Sequence, residues 1–129
     1  MADCSNDFET RMTINDATLR AGKPAVFASV NLFEGQLQVV VPADGTACLR
    51  CRRPDVPPAP VAGNSEQAGV LGAAPGVIGA MQAMETLELL LELPGLLAGE
   101  VALLDLLSMQ MRKLRVARDP SCVACGAIP

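Results

Sequence analysis

Two Cys-x-x-Cys pairs, far apart along the chain, constrain this sequence more than any other feature. Cys48 and Cys51 lie in ACLRCRRP (47–54), and Cys122 and Cys125 lie in DPSCVACG (119–126). Seventy residues separate the pairs. A tetrahedral zinc site takes four thiolates about 2.3 Å from the ion, and each tight Cys-x-x-Cys turn aims two sulfurs at one point. If all four meet, the tail of the chain must be clamped onto its middle. Gly126 suits a turn whose amides approach sulfur closely. Arg50, Arg52 and Arg53 are expected to offset the thiolate charge. The separation far exceeds the roughly 15–20 residues of a zinc ribbon, so the fold itself has to bring the turns together. The competing reading is a set of reduced buried thiols or a redox dithiol. A redox pair favours a helix start after a strand, and neither pair has that setting. With all four positions closed by protein, the zinc would be structural. Cys4 has no partner by spacing and is expected to be a small buried residue.

The remaining composition narrows the setting. The chain has 129 residues, the size of one ordinary domain or part of a larger one, and half of them are apolar, enough for a core. A net charge of −4 and just three aromatic residues, Phe8, Phe27 and Phe33, argue against binding nucleic acid through a basic field or by base stacking. The first residues, MADCSNDFETR, lack the apolar run of a signal peptide, so a cytoplasmic location is expected. There thiols stay reduced, and paired Cys-x-x-Cys motifs more often bind metal than staple a fold. The longest charge-free run, Gln67–Met84, carries four glycines and a proline and is short of the ~20 apolar residues of a membrane span.

Along the chain, the pattern predicts a helix over Asn6–Ala21, with Asn6 and Glu9 as a capping box and Gly22-Lys23-Pro24 as its stop. Phe8, Met12 and Leu19 form its apolar stripe. Arg11 and Asn15 fall on the same stripe, and polar groups there need internal partners. Ala25–Leu32 and Phe33–Val41 read as antiparallel strands with an irregularity near Asn31; the second alternates as a half-buried strand does. Pro42–Gly45 is a turn. The proline-rich stretch 52–67 reads as a mobile surface crossing. Ala68–Leu93 reads as a long apolar helix bent at Pro75. Its Gly69, Gly72, Gly76, Gly79 and Ala83 line one face, where another backbone can approach; Glu85, Glu88 and Glu92 give its later turns a charged side. Val101–Leu107 and Met109–Ala117 read as two further strands, with a bulge at Arg112-Lys113.

DCSNDFETRMTINDA (3–17), Lys23-Pro24, FEGQL (33–37), CLRCRRP (48–54), AGVLG (68–72), GVIGAMQAME (76–85) and DPSCVACG (119–126) occur in that order. Taken together, the string resembles the C-terminal half of the ThiF/MoeB/HesA adenylyltransferases, relatives of the ubiquitin-activating enzymes, across nearly all of residues 1–129. The resemblance implies an α/β fold: the C-terminal part of a Rossmann-like adenylation domain with mixed strands, helices and a Cys4 zinc site. It implies a homodimer and ATP- and Mg²⁺-dependent activation of the Gly-Gly carboxylate of a ubiquitin-like sulfur carrier of the ThiS/MoaD type. Asp3 matches the family's metal–ATP aspartate, a role that suits a carboxylate at a strand's end. Arg11 and Asn15 match retained positions on the next helix; satisfying buried backbone or bracing the site is the plainer alternative for them.

The sequence also departs from the family pattern. Ser5-Asn6-Asp7 transposes the usual Ser/Thr-Asp-Asn. Ser65 stands at a common cysteine position, which argues against a thioester or persulfide step on this chain. Glu88 stands where lysine is common. The family's glycine-rich nucleotide loop is expected ahead of Asp3. The glycines between 69 and 79 lie within a helical pattern and do not replace it, because a phosphate cradle needs a strand, a turn and a helix N-terminus. The expectation is therefore an adenylyltransferase segment with little activity of its own. A non-catalytic, zinc-clamped interaction module is the alternative, and a small dithiol redox protein ranks last.

Overall fold

The computed structural model describes residues 1–55 and 69–128. The expected crossing lies outside the described residues from position 56 on, as does Ser65. The elements are β1 (Ala2–Asp3), α1 (Phe8–Arg20), β2 (Ala25–Asn31), β3 (Glu34–Val40), a 3-10 turn (Pro42–Asp44), α2 (Leu49–Arg52), α3 (Ala73–Leu90), β4 (Glu100–Asp105) and β5 (Gln110–Arg115). They form the α/β fold with a mixed sheet expected from the sequence. Its order is β1-β2-β3-β4-β5; β1 runs parallel to β2, and each later pair is antiparallel.

Because side chains alternate along a strand, the sheet buries two separate clusters. Ala25 and Phe27 of β2 and Val40 of β3 pack with Met12 and Leu19 of α1 and with Cys48, Leu49, Cys122 and Cys125. Val26, Leu37, Val39, Ala102 and Leu104 face the other way, against Ile78 of α3 and Leu97. The structure therefore has three layers, α1 and the cysteine turns on one face of the sheet and α3 on the other. The half-buried reading of β3 needs correction: both faces are covered over its second half, and even Gln38 is buried, its Nε2 donating to the Ala47 carbonyl (3.1 Å).

Several boundaries shift for local reasons. Asp7, rather than Asn6, caps α1: its Oδ1 accepts from the Thr10 N–H at 2.7 Å, and this bond holds the Asp7 carboxyl below the usual range. Gly22, at φ +61°, ends that helix as expected. The irregularity near Asn31 is a tight turn in which Leu32 takes φ +53°. α3 begins at Ala73, not Ala68, because the Leu71 N–H bonds to the Leu32 carbonyl, which draws that segment alongside the hairpin turn. Pro75 thus sits in the first turn, where a missing N–H costs nothing, and makes no bend. The register between β4 and β5 is continuous from Glu100↔Arg115 to Asp105↔Gln110, without the expected bulge.

The small residues of α3 do not do what their spacing suggested. Gly72, Gly76 and Gly79 have open space where a Cβ would stand, and the helix turns Ala74, Ile78 and Gln82 to the sheet. The close approach uses Gly35 of β3 instead, where a Cβ would come within 2.1 Å of the Ile78 Cδ1. Among the described residues, no helix is long and apolar enough to cross a membrane.

Candidate functional site

The two cysteine pairs meet. Cys48 precedes α2 and Cys51 lies within it, while Cys122 and Cys125 come from the turns after β5. All four Sγ atoms lie within 4.8 Å of one another. Cys48–Cys51 is 3.9 Å, Cys48–Cys122 is 3.7 Å and Cys51–Cys125 is 3.3 Å. A tetrahedron with arms of about 2.3 Å has edges of about 3.8 Å, so this donor set fits a four-thiolate metal ion. Burial, then the neighbouring sulfurs, push the Cys48 and Cys125 thiols up. Burial works against the Cys122 thiolate too, but the Cys125 and Ala124 N–H groups and the adjoining thiols bring it down to about 7. Four sulfurs this close cannot all ionise without a cation among them.

The turns are built to present those sulfurs. Gly126 donates its N–H to the Cys122 carbonyl (2.8 Å), and a Cβ there would fall 2.5 Å from the Pro120 oxygen and 2.6 Å from that of Cys122. The Asp119 N–H points at the Cys51 Sγ (3.4 Å). Arg118, which the sequence reading missed, donates to the Cys125 and Ile128 carbonyls and holds the second turn shut. The arginines of the first turn do not crowd round the thiols as expected. Arg50 grips Asp16 with a bidentate fork (2.8–3.1 Å), although Cys48 and Cys122 are among the charges it feels. Arg52 reaches Gln36 at 3.3 Å, and Arg53 lies 5.4 Å above the Phe8 ring. Cys4 is exposed rather than buried.

Asn15 belongs to this side of the molecule. It is fully buried; its Oδ1 accepts from the Leu49 N–H (3.0 Å), and its Nδ2 donates to the Asp16 Oδ1 (3.0 Å). The polar residue on the apolar stripe therefore ties α1 to the first cysteine turn.

A second centre lies where β1 ends. Asp3 is buried, its Oδ1 accepts from the Ser5 N–H (2.9 Å) and Oγ (2.6 Å), and its Oδ2 pairs with the Arg11 Nε (2.7 Å). Arg11 also donates to the Ser5 carbonyl. From the other face of the sheet, the Gln82 Nε2 donates to the carbonyls of Asp3 (2.8 Å) and Val26 (3.0 Å) and so fixes the end of β1. Gln82 also went unnoticed in the sequence; its signal is a lone amide four residues after Ile78 on the apolar face of α3. Asp3 and Arg11 line a cleft of about 650 Å³ between α1, the outer parts of β2 and β3, α2 and the start of α3. The structure brings Asp3 and Arg11 together and leaves Asn15 out of that cleft.

The profile of the ThiF family matches residues 1–124. The chain belongs to the ThiF family. It is 42% identical over 130 residues to the mouse (Mus musculus) adenylyltransferase and sulfurtransferase MOCS3, covering all of this chain and 28% of that protein. It is 38% identical over 133 residues to the sulfur carrier protein adenylyltransferase of Thermus thermophilus, covering all of this chain and 49% of the relative. The ThiF-family chain thus spans about half the length, or less, of these curated relatives. Among solved structures, E. coli MccB with ATP superposes with a TM-score of 0.77 at 15% identity, over 97% of this chain and 39% of that one, which shows the shared fold.

Proposed function

We propose that this ThiF-family chain supplies the carboxylate floor and the metal clamp of an adenylyltransferase that activates the C-terminal Gly-Gly carboxylate of a ubiquitin-like sulfur carrier. The reading rests on one observation, Asp3 held buried at the end of a parallel strand by Ser5 and Arg11 and facing a cleft. Ligands of open α/β sheets bind beyond the carboxyl ends of the parallel strands. In the reaction, a carboxylate oxygen of the carrier forms a bond to the α-phosphorus of ATP, the α–β bridging P–O bond breaks, and pyrophosphate leaves with its electron pair. Mg²⁺, when bound, supplies positive charge against the phosphate oxygens. Asp3 would hold it, with Arg11 fixing the carboxylate's orientation and Asn15 bracing α1 from behind. Zn²⁺ is the ion proposed for Cys48, Cys51, Cys122 and Cys125, since four thiolates at tetrahedral spacing suit it and leave no open position for catalysis. A homodimer belongs to the same proposal, supported by Leu87, Leu90 and Leu91 exposed at the end of α3, and sedimentation of the purified chain checks it.

Among the described residues no glycine turn joins a strand to a helix N-terminus in the form that cradles phosphates. Little carrier-dependent ATP–pyrophosphate exchange is therefore expected from these residues alone. Exchange is expected once the N-terminal half of the T. thermophilus relative is added, and a fall of roughly 100-fold on Asp3→Asn. Absence of exchange in every combination overturns the reading. The alternative, a non-catalytic metal-clamped interaction module, draws on the fact that both Asp3 oxygens already have protein partners. Tight carrier binding indifferent to ATP would favour it.

A further inference from the structure

Five arginines lie on α1 and the first cysteine turn; apart from Arg20 at the end of α1, they fall into two classes. Arg11 and Arg50 are each paired with a carboxylate, Asp3 and Asp16. Arg52 and Arg53 are not: among the described residues, no carboxylate forms a salt bridge with either. Both line the cleft that Asp3 also lines. Arg52 ends α2, with the amide oxygen of Gln36 on β3 as a neutral acceptor. The Arg53 guanidinium lies over the Phe8 ring at the start of α1, a cation–π contact of 5.4 Å. Two like charges at consecutive positions of a metal-held turn repel one another, and an anion between them relieves the repulsion.

The walls of the cleft suggest which anion. They include the outer halves of β2 and β3, with Ser29, Asn31 and Gln36, and they continue to Asp3; the carboxylates of Glu34 and Asp7 also line the cleft, so an acidic group finds opposite charge there at the arginines. Because Asp3, Arg52 and Arg53 line one cleft, an extended peptide that brought its terminal carboxylate to Asp3 would place side chains upstream of that terminus within reach of the arginines. We propose that Arg52 and Arg53 form a subsite for an acidic side chain in the C-terminal tail of the carrier protein, and that they select carriers by it. This rests on the adenylation reading for the identity of the tail. The arginines touch the proposed substrate away from the reacting atoms and act on affinity, not on the chemical step.

The test uses the whole chain and fluorescein-labelled peptides ending in Gly-Gly, with Glu or Gln a few residues before the terminus, read by anisotropy. The Glu peptide is expected to bind roughly three- to tenfold tighter than the Gln peptide, a preference that added salt weakens. Arg52→Gln with Arg53→Gln should abolish that preference. Arg52→Glu with Arg53→Glu should transfer it to a Lys peptide; neither pair of changes touches a core residue. Equal binding of Glu and Gln peptides by the unaltered chain overturns the proposal. A third arm separates a nucleotide source of the anion: if the arginine changes weaken inorganic tripolyphosphate binding and leave the Glu preference intact, the subsite serves phosphate and the proposal is wrong. Failure of pyrophosphate exchange in every combination, including with the N-terminal half of the T. thermophilus relative added, with the Glu preference intact would sink the adenylation reading and spare the subsite. Exchange without any Glu preference would sink the subsite alone.

Discussion

Asn15 shows what a single residue can disclose in a sequence and what it conceals. A buried amide on an apolar helix stripe must have partners, so its importance was legible. That the partner is the Leu49 N–H, at the first cysteine turn, depends on how α2 docks, which no local pattern encodes. Asn15→Ala leaves that N–H buried and unpaired and should cost about 1–3 kcal/mol in urea unfolding. The choice between Asn6 and Asp7 as cap was beyond a sequence reading for a plainer reason, since two adjacent residues of equal capping ability differ by one step of register. Asp16 offers a test by pH. Hydrogen bonds from Arg50 hold its carboxyl below the usual 3.8, so the folded state takes up its proton less readily than the unfolded chain. Its contribution is complete above that value and is lost as the pH falls through the lowered one. Asp16→Asn should therefore destabilise the protein near neutrality, and the gap from the unaltered protein should close as the pH is taken below 3.8.

At the scale of elements, glycine has opposite meanings in two places. The row along α3 was read as a packing face because spacing reveals which residues share a side, not what stands opposite. Gly76→Ala, with open space for its Cβ, is expected to raise stability by about 0.5–1 kcal/mol through helix propensity. Gly126→Ala meets two backbone oxygens that cannot swing aside. It should cost about 2–4 kcal/mol and lower the metal content per chain. A thermal melt with metal analysis on both variants separates the two roles. The cysteine turns were the most legible elements, because a ligand set names its own geometry. Arg118, which locks the second turn through carbonyl oxygens, carried no such pattern.

For the whole molecule, the hairpin β2–β3 and the strands β4 and β5 were visible in alternation and turn residues, and the α/β class in the resemblance to the ThiF/MoeB/HesA family. The three-layer arrangement was not, because the covering of β3 on both faces is a long-range outcome of α1 and α3 docking from opposite sides. The two buried clusters are expected to respond differently to loss of an ion held by the four cysteines. Cys48, Cys122 and Cys125 belong to the cluster beneath α1, and Ile78 and Leu104 to the one beneath α3. Chelation, or Cys122→Ser with Cys125→Ser, should lower the melting temperature by at least ~10 °C. Hydrogen exchange should then accelerate in α1 and the cysteine turns while α3 and the centre of β3 and β4 keep most of their protection. Uniform acceleration everywhere would contradict the division.

The bond from Leu49 to Asn15 spans the gap between the sulfur cage and the helix that carries Arg11 and, through it, Asp3. Loosening of the first cysteine turn is therefore expected to reach the Asp3 carboxylate through one turn of α1, from Asn15 to Arg11. A chain whose four cysteines hold no ion is expected to keep its sheet while the Asp3–Arg11 pair loses its alignment, and metal resupply is expected to restore it.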